Sequence, residues 1–273
     1  MGAVVVDPGT LTSALEPEQA LDRASMHLAN ALLGNCADAG GLEVLLGGLR
    51  LRFVTASAVS VTGAEGIVTL NGSELPLNKA VRVAPGSVLE VGPALFGIRY
   101  YVAVPGGIPP QAEPLRAGGA LTFGRPNSQT YPDMQQPPRR ALHPERPVVA
   151  RVFRGPQTPD FGADSWLRLT TEPWILSPES DRAGARLVGR PLEAAPTPAR
   201  QPQPLRTGSV LLPPSGLPVI ALAGHPATAK SPVIALVRDE DLDLLGQARP
   251  GQMVHLLGTG EAPRPIRTAG AQP

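Results

Sequence analysis

Between Leu42 and Val104 the chain falls into short Val-, Leu- and Ile-rich runs: LEVLLGGLRLRFV, AVSVTG, GIVTLNG, AVRVAPGSVLEVG and GIRYYVAVPGG. Gly, Pro or Asn-Gly interrupts them roughly every ten residues, and apolar runs of that length bounded by turn residues read as the strands of a β-barrel or sandwich. Asn71-Gly72 supplies two residues that tolerate positive φ, the requirement of a type I′ hairpin, and Pro85-Gly86 supplies the fixed φ and then the positive φ of a type II turn. Aromatic residues make up only 4% of the chain, so the core must come mainly from Val, Leu, Ile and Ala, which suit pleated layers. The same phrasing returns in APGSVLEVG (84–92), RAGGALTFG (116–124) and RPGQMVHLLG (249–258), each a Gly turn followed by an apolar strand that stops at Gly. The spacing is too uneven for a solenoid. The expected fold class is therefore mainly β with a few helices.

The helices have their own signatures. From Pro17 to Leu33 the apolar residues Leu21, Ala24, Leu28, Ala31 and Leu32 recur at three- and four-residue steps, which predicts one amphipathic helix. Pro17 suits its first turn, and Gly34-Asn35 offers a left-handed stop. A short helix is expected around Asp164 to Leu169, and another in DEDLDLLGQA, where acidic residues at and after Asp239 complement the helix dipole. At ~150 residues per domain the 273 residues suggest two parts. Nine prolines lie between Pro109 and Pro147, and each lacks the N–H that a sheet ladder needs. The expected division is an N-terminal helix with β-barrel at 1–124, a Pro-rich linker at 125–147, a second β-rich part at 148–258 and a disordered tail at 259–273. Arg139-Arg140 reads as part of a solvated linker.

Composition removes several functions. The formal charge is +1, so no net field draws nucleic acid or an acidic membrane to the surface. The one cysteine, Cys36, cannot form an internal disulfide, and neither a signal peptide nor 18 consecutive apolar residues is present, so the expectation is a cytoplasmic protein. The four histidines at 27, 143, 225 and 255 are far apart without metal-ligand spacing. The Gly-rich strings follow neither phosphate-binding order, and no GxSxG elbow appears. One cluster does carry chemistry: Ser177, Ser180, Asp181, Arg182 and Arg186 combine acceptors with two guanidinium forks suited to a carboxylate, amide or ureido group. The same residues also fit an internal Asp181–Arg182 or Asp181–Arg186 pair that merely pins a loop.

Taken in order, DRASMHLANALLGN (22–35), LEVLLGGLRLRF (42–53), VTGAEGIVTLNG (61–72), the run from RVAPGSVLEVG to IRYYVAVPGGI (82–108), RVFRGPQ (151–157), PWILSPESDRAGARLVG (173–189) and DLDLLGQARPG (241–251) resemble the biotin-dependent carboxyltransferase family. That family includes the C subunit of bacterial ATP-dependent 5-oxoprolinase and the carboxyltransferase part of urea amidolyase, also labelled allophanate hydrolase subunit 2. The resemblance implies a cyclophilin-like β architecture in two parts, working with a B-type partner subunit in a hetero-oligomer on a small-molecule substrate. It places the family's Asp-Arg and Ala-Asn pairs on Asp22, Arg23, Ala29 and Asn30, and its Ser-Asp-Arg-x-Gly-x-Arg string on Ser180, Asp181, Arg182, Gly184 and Arg186. Ser180, Asp181, Arg182 and Arg186 are thereby catalytic candidates, and Asp22, Arg23, Asn30 and Lys230 substrate-binding candidates; no metal is implied.

The departures from the family pattern fall in loops. Between Thr12 and Leu21 this chain has only SALEPEQA where the family has a longer segment with Gln-Asp-x-Gly-Arg. After Gly107 the expected Gly-Ser-Arg-Ser-Thr is replaced by IPPQAEPLRAGG, and Val233 in AKSPV stands where the family has a lysine, with Lys230 nearby. Positioned donors are what such loops contribute to catalysis. The resemblance therefore implies a component of an ATP-dependent 5-oxoprolinase acting on a cyclic amide, ATP being used by the assembly rather than bound by a motif in this chain. Two alternatives follow: a non-catalytic, partner-binding or regulatory subunit that has lost its active-site loops, and a carboxyltransferase acting on urea or allophanate with biotin carried by a segment that this sequence does not contain.

Overall fold

The computed structural model describes residues 2–127, 131, 135–136, 143–193 and 201–260. The expected linker lies partly, and Arg139-Arg140 and the tail beyond 260 wholly, outside these residues. Among the described residues the fold is mainly β with three α-helices, none of them long and apolar enough to cross a membrane. The chain divides into two compact units: Met1–Arg146 with Asp243–Gln252, and Pro147–Leu242 with Met253–Pro273.

The first unit is built on two sheets. One runs in the order β11 (Ala120–Leu121), β1 (Ala3–Pro8), β4 (Leu49–Phe53), β9 (Val88–Val91), β6 (Val68–Leu70) and β7 (Ser73–Glu74). The other runs β2 (Leu11–Leu15), β3 (Gly41–Leu45), β10 (Phe96–Ala103), β5 (Ser57–Glu65) and β8 (Val81–Val83). Period-two alternation sets their facing: in β4 Leu49, Leu51 and Phe53 are buried while Arg50 and Arg52 are exposed. Leu49, Leu51, Phe53 and Leu89 of the first sheet share one core with Leu42, Val44, Val59, Val61, Tyr100 and Val102 of the second. The hairpin joining β6 and β7 turns at Asn71 (φ 53°) and Gly72 (φ 80°), the two positive angles that the dipeptide predicts.

The second sheet is also covered on its outer face, by α1 (Arg23–Leu32). Small residues on β5 and β10 let the helix approach, so that Met26, Ala29 and Leu33 pack with Ala58, Tyr101 and Ala103. Two strand hydroxyls fix the register: Ser60 Oγ donates to Ala29 O (2.6 Å) and Thr62 Oγ1 to Ser25 O (2.7 Å). Two residues of strand advance ~6.7 Å and four residues of helix ~6 Å, so the pairs align along antiparallel axes. The expected single helix from Pro17 is broken. Pro17–Gln19 forms a 3-10 turn, Ala20 is extended, and the α-helix starts after Asp22. The break is imposed from a distance, because Glu43 Oε2 takes the Leu21 N–H (2.9 Å) and the Tyr101 hydroxyl takes the Asp22 N–H (2.8 Å). Gly34, with φ 65°, ends the helix as its position predicts.

The second unit is a closed seven-stranded barrel, ordered β12 (Val148–Arg154), β19 (Val233–Val237), β16 (Ser209–Leu211), β17 (Val219–Ala221), β14 (Gly184–Val188), β13 (Trp174–Leu176) and β20 (Met253–Gly258). The parallel pairing of β12 with β20 closes it. Val148, Ala150, Val152, Trp174, Leu176, Leu187, Val254 and Leu256 are buried, while Val149, Arg186, Met253 and Leu257 alternate outward. A small pair, β15 (Gln203–Pro204) with β18 (Thr228–Ala229), lies outside the barrel sheet. α2 (Ala163–Thr171) accepts the indole N–H of Trp174 at Leu169 O (3.1 Å). α3 (Asp239–Gln247) begins on the acidic turn read from the sequence. Its Asp241 pairs with Arg151 in this unit (2.7 Å).

The far end of α3 belongs to the first unit. Gln247 accepts the N–H groups of Ile98 and Arg99 on Oε1 (2.9 Å each), and its Nε2 donates to Asp22 Oδ2 and Arg99 O (2.9 Å each). All four hydrogen-bonding positions of the amide are used. Gly246 permits this approach, since a Cβ there would meet Leu21 O at 2.2 Å. Replacing Gln247 with Leu leaves two strand N–H groups and a buried carboxylate oxygen without this partner, and stability should fall by about 3 kcal/mol. Urea unfolding of the purified chain measures it; a change under about 0.5 kcal/mol, the range of ordinary surface substitutions, would contradict the assignment.

Candidate functional site

The structure sets Asp22 and Arg23 at the start of α1 and Asn30 near its end in the first unit; in the second it sets Ser180, Asp181 and Arg182 on one turn, Arg186 on the strand that follows and Lys230 on a separate loop. In the first unit, the Asp22 side chain caps α1: Oδ1 accepts from Ser25 N (3.0 Å), and Oδ2 from Ser25 Oγ (2.6 Å) and Gln247 Nε2. Arg23 follows it, its backbone N–H bonded to Asp243 Oδ1 (3.0 Å). Asn30 is almost fully buried, donates to Ala39 O (2.7 Å) and accepts from Asn35 Nδ2 (2.8 Å). Asn35 in turn donates to Val104 O and accepts the Gly106 N–H (2.8 Å each). The helix thus carries a relay from Asn30 to the Val104–Gly107 turn.

Beside Asp22 lies a second buried carboxylate. Glu43 Oε2 accepts from the Tyr101 hydroxyl (2.8 Å) as well as from Leu21, and Arg99 lies 3.6 Å from Oε1. Burial, then the neighbouring negative charges of Glu43 and Asp22, push the Tyr101 phenol well above its ordinary value. Arg249 ties the following turn to the sheet, donating to Ala94 O (2.5 Å) and Gly97 O (3.0 Å). Sequence reasoning does not single out Glu43, Tyr101, Gln247 or Arg249, and reads Asn35 only as part of a helix stop. The available signal is a polar residue held inside an apolar, motif-bearing stretch.

In the second unit the Ser-Asp-Arg string is the turn joining β13 to β14. Asp181 Oδ1 accepts the N–H groups of Ala183 (2.8 Å) and Gly184 (2.9 Å), a local turn that Asp forms readily. The loop is pinned here by backbone amides rather than by the guanidinium pair that the residues also fit. Ser180 Oγ accepts the Arg186 N–H (3.0 Å) and lies 3.4 Å from Arg186 O. Arg186 is exposed on the outer face of β14 with Nε bonded to Glu179 O (3.2 Å). Arg182 is partly buried, and its carbonyl accepts from Gly224 N (2.8 Å). Lys230 is exposed in the loop between β18 and β19. Among the described residues there is no group of three or more His, Cys, Asp or Glu placed to hold a metal.

The first unit also contains a cavity of about 460 Å³ bordered by Ser57, Arg82, Pro105, Phe123 and Tyr131. The Arg82 guanidinium carbon lies 5.8 Å from the centre of the Tyr131 ring. Arg82 opens one of the quoted motifs, yet its neighbours in space come from distant parts of the sequence.

These arrangements sit on a recognised frame. Residues 17–112 and 109–257 match the carboxyltransferase domain, subdomains A and B, and the chain belongs to that family. It is 32% identical over 249 residues to the C subunit of Haemophilus influenzae 5-oxoprolinase, covering 86% of this chain and 80% of that one. It is 28% identical over 201 residues to urea amidolyase of Saccharomyces cerevisiae, covering 63% of this chain and 11% of the enzyme. Among solved structures it is similar to TTHA0988, with a TM-score of 0.82 and 28% identity over 95% of this chain; it spans 55% of that protein.

Two measurements test these assignments. Tyr101 ionises near pH 10 in the unfolded chain but well above that when folded. Above pH 10 the unfolded state therefore binds fewer protons, and the stability Tyr101 contributes, complete below pH 10, is lost as pH rises toward the folded value. The stability gap between wild type and Tyr101→Phe should be constant from pH 7 to 9 and narrow above 10; a constant gap up to pH 11 would contradict the burial argument. In the barrel, Asp181→Ala should cost about 1 kcal/mol through its lost amide bonds, whereas Arg186→Ala should leave the melting temperature almost unchanged. The reverse order in thermal denaturation would show that the guanidinium, not the carboxylate, holds the turn.

Proposed function

We propose that this chain is the C-type subunit of an ATP-dependent 5-oxoprolinase-type amidohydrolase, acting with a B-type partner subunit on a cyclic amide. The observation that carries this reading is the extent of the likeness: 80% of a protein named for that activity is matched, against 11% of urea amidolyase. The chain's own part is to bind and orient. Arg186, exposed on the outer face of β14, offers a carboxylate a guanidinium fork, with Arg182 on the preceding turn and Lys230 as further cations of the same unit. Asp181 and Ser180 hold that turn in place through the backbone. Asp22 and Asn30 hold the first unit's frame.

Among the described residues the helix N-termini do not suit ATP. A helix N-terminus binds phosphate through open N–H groups and a positive dipole end. Here α1 is capped by Asp22, α2 carries Asp164 in its first turn, and α3 carries Asp239, Glu240 and Asp241. The nucleotide is therefore assigned to another component of the assembly. Biotin enters only with the carboxyltransferase alternative, which rests on the partial likeness to urea amidolyase.

A second reading is favoured by one observation. Asp22, Asn30, Ser180 and Asp181 are all engaged in bonds that stabilise their own turns and helices, as expected of a partner-binding or regulatory component. One experiment separates the readings. The chain is co-purified with its B-type partner and the remaining component of the assembly, and ADP release is followed with 5-oxoproline, urea or allophanate. The first reading predicts release dependent on 5-oxoproline alone. A stable complex without turnover would replace it with the second, and release dependent on urea or allophanate would contradict both.

A further inference from the structure

The second unit holds an arginine that its own protein leaves unsatisfied. Arg206 is half-buried, and its Nε is out of reach of solvent with no acceptor beside it. Among the described residues its guanidinium makes no hydrogen bond or ion pair. Arg249 is the contrast: its Nε is buried in the same way, yet its terminal nitrogen donates to Ala94 O and Gly97 O. The backbone around Arg206 is fixed on both sides. Arg206 and Thr207 open a turn closed by Ser209 N on Arg206 O (3.1 Å), with Gly208 at φ 86°. Leu205 N donates to Ala227 O (2.9 Å) and Gly208 N to Ala221 O (2.8 Å), so residues 222–226 arch across Arg206 and Thr207 from one rung to the other. The arch is itself held by the turn between β13 and β14, where Leu222 N and Gly224 N donate to Ala183 O (3.0 Å) and Arg182 O (2.8 Å).

A charged donor without an acceptor is costly away from water, and the described residues supply none. A guanidinium presents parallel N–H donors that match the two oxygens of a carboxylate, and Thr207 places a hydroxyl donor one residue away. One cation balances a monoanion, whereas dianionic phosphate would keep an uncompensated charge beside a half-buried group. We infer that Arg206, with Thr207, forms a binding site for the carboxylate of a small organic acid, framed by residues 222–226. The guanidinium fork takes the two carboxylate oxygens, and the rungs at Leu205 and Gly208 hold the fork's backbone in place before a ligand arrives, which lowers the ordering cost of binding. The site is distinct from the exposed Arg186 and Lys230. Binding at Arg206 stands independently of the proposed function, and turnover by the assembled complex does not bear on it.

The test uses the full chain, isotope-labelled on nitrogen, in chloride buffer at constant ionic strength. Sodium acetate, inorganic phosphate and the uncharged acetamide are the probes in protein-observed NMR titration. Acetate should shift the Arg206 Nε–H and Thr207 N–H signals along a saturating curve, acetamide should leave both in place, and phosphate should bind more weakly than acetate. Arg206→Met, checked for folding by circular dichroism, should weaken acetate by about tenfold or more, read at Thr207 N–H, as loss of a charge-assisted pair predicts. Arg52→Met, which removes an exposed cation of the first unit, should leave acetate binding unchanged. The wild-type titration reads the guanidinium directly and depends on no variant. If acetate gives no saturating shift at Arg206 and Thr207, or binds Arg206→Met as well as wild type, the inference is overturned; phosphate binding more tightly than acetate would overturn the carboxylate assignment.

Discussion

One amide side chain fixes where the polar groups of the first unit must go. Gln247 uses both lone pairs on two consecutive strand N–H groups and both hydrogens on the Asp22 carboxylate and Arg99 O. A buried amide is tolerated only when its capacity is filled, so its neighbours cannot move independently. Asp22 must sit at the start of α1, which places Leu21 against Glu43 and the Asp22 N–H against Tyr101. From that origin the helix lies along β5, with Ser60 and Thr62 matching its turn, and delivers Asn30 and Asn35 to the loop beyond β10.

This constraint separates scaffold from chemistry. Residues that look reactive by type, two carboxylates and a phenol in close contact, are here mutually satisfied and buried. Arg186 and Lys230 in the second unit and Arg82 in the first are exposed cations. Under the proposed function these cations hold an acidic substrate while a partner subunit handles the nucleotide. The loop departures in the sequence are consistent with this division, because both sheets and the barrel keep their pairing around them.

Local chemistry is legible in the sequence. The strand cadence, the Asn71-Gly72 hairpin, the stop at Gly34 and the acidic start at Asp239 each depend on neighbours within a few residues. What stays hidden depends on distance along the chain. The break before α1 comes from Glu43 and Tyr101, so periodicity alone extends the helix back to Pro17. Residue type marks Asp181 as reactive or ion-paired and does not reveal that two backbone amides, set by Gly184, already claim it. The cavity joins Ser57, Arg82, Pro105 and Phe123, which no spacing rule connects. Candidate residues are thus findable by resemblance, but whether each faces a ligand or its own backbone is decided by topology.

The account turns on Asp22 and Gln247 being a coupled structural pair. A double-mutant cycle of Asp22→Ala and Gln247→Leu, measured by urea unfolding at neutral pH, tests this directly. The account predicts that the second substitution costs less once the first is made, with a coupling of about 1 kcal/mol or more, whereas effects that add to within about 0.3 kcal/mol would contradict it.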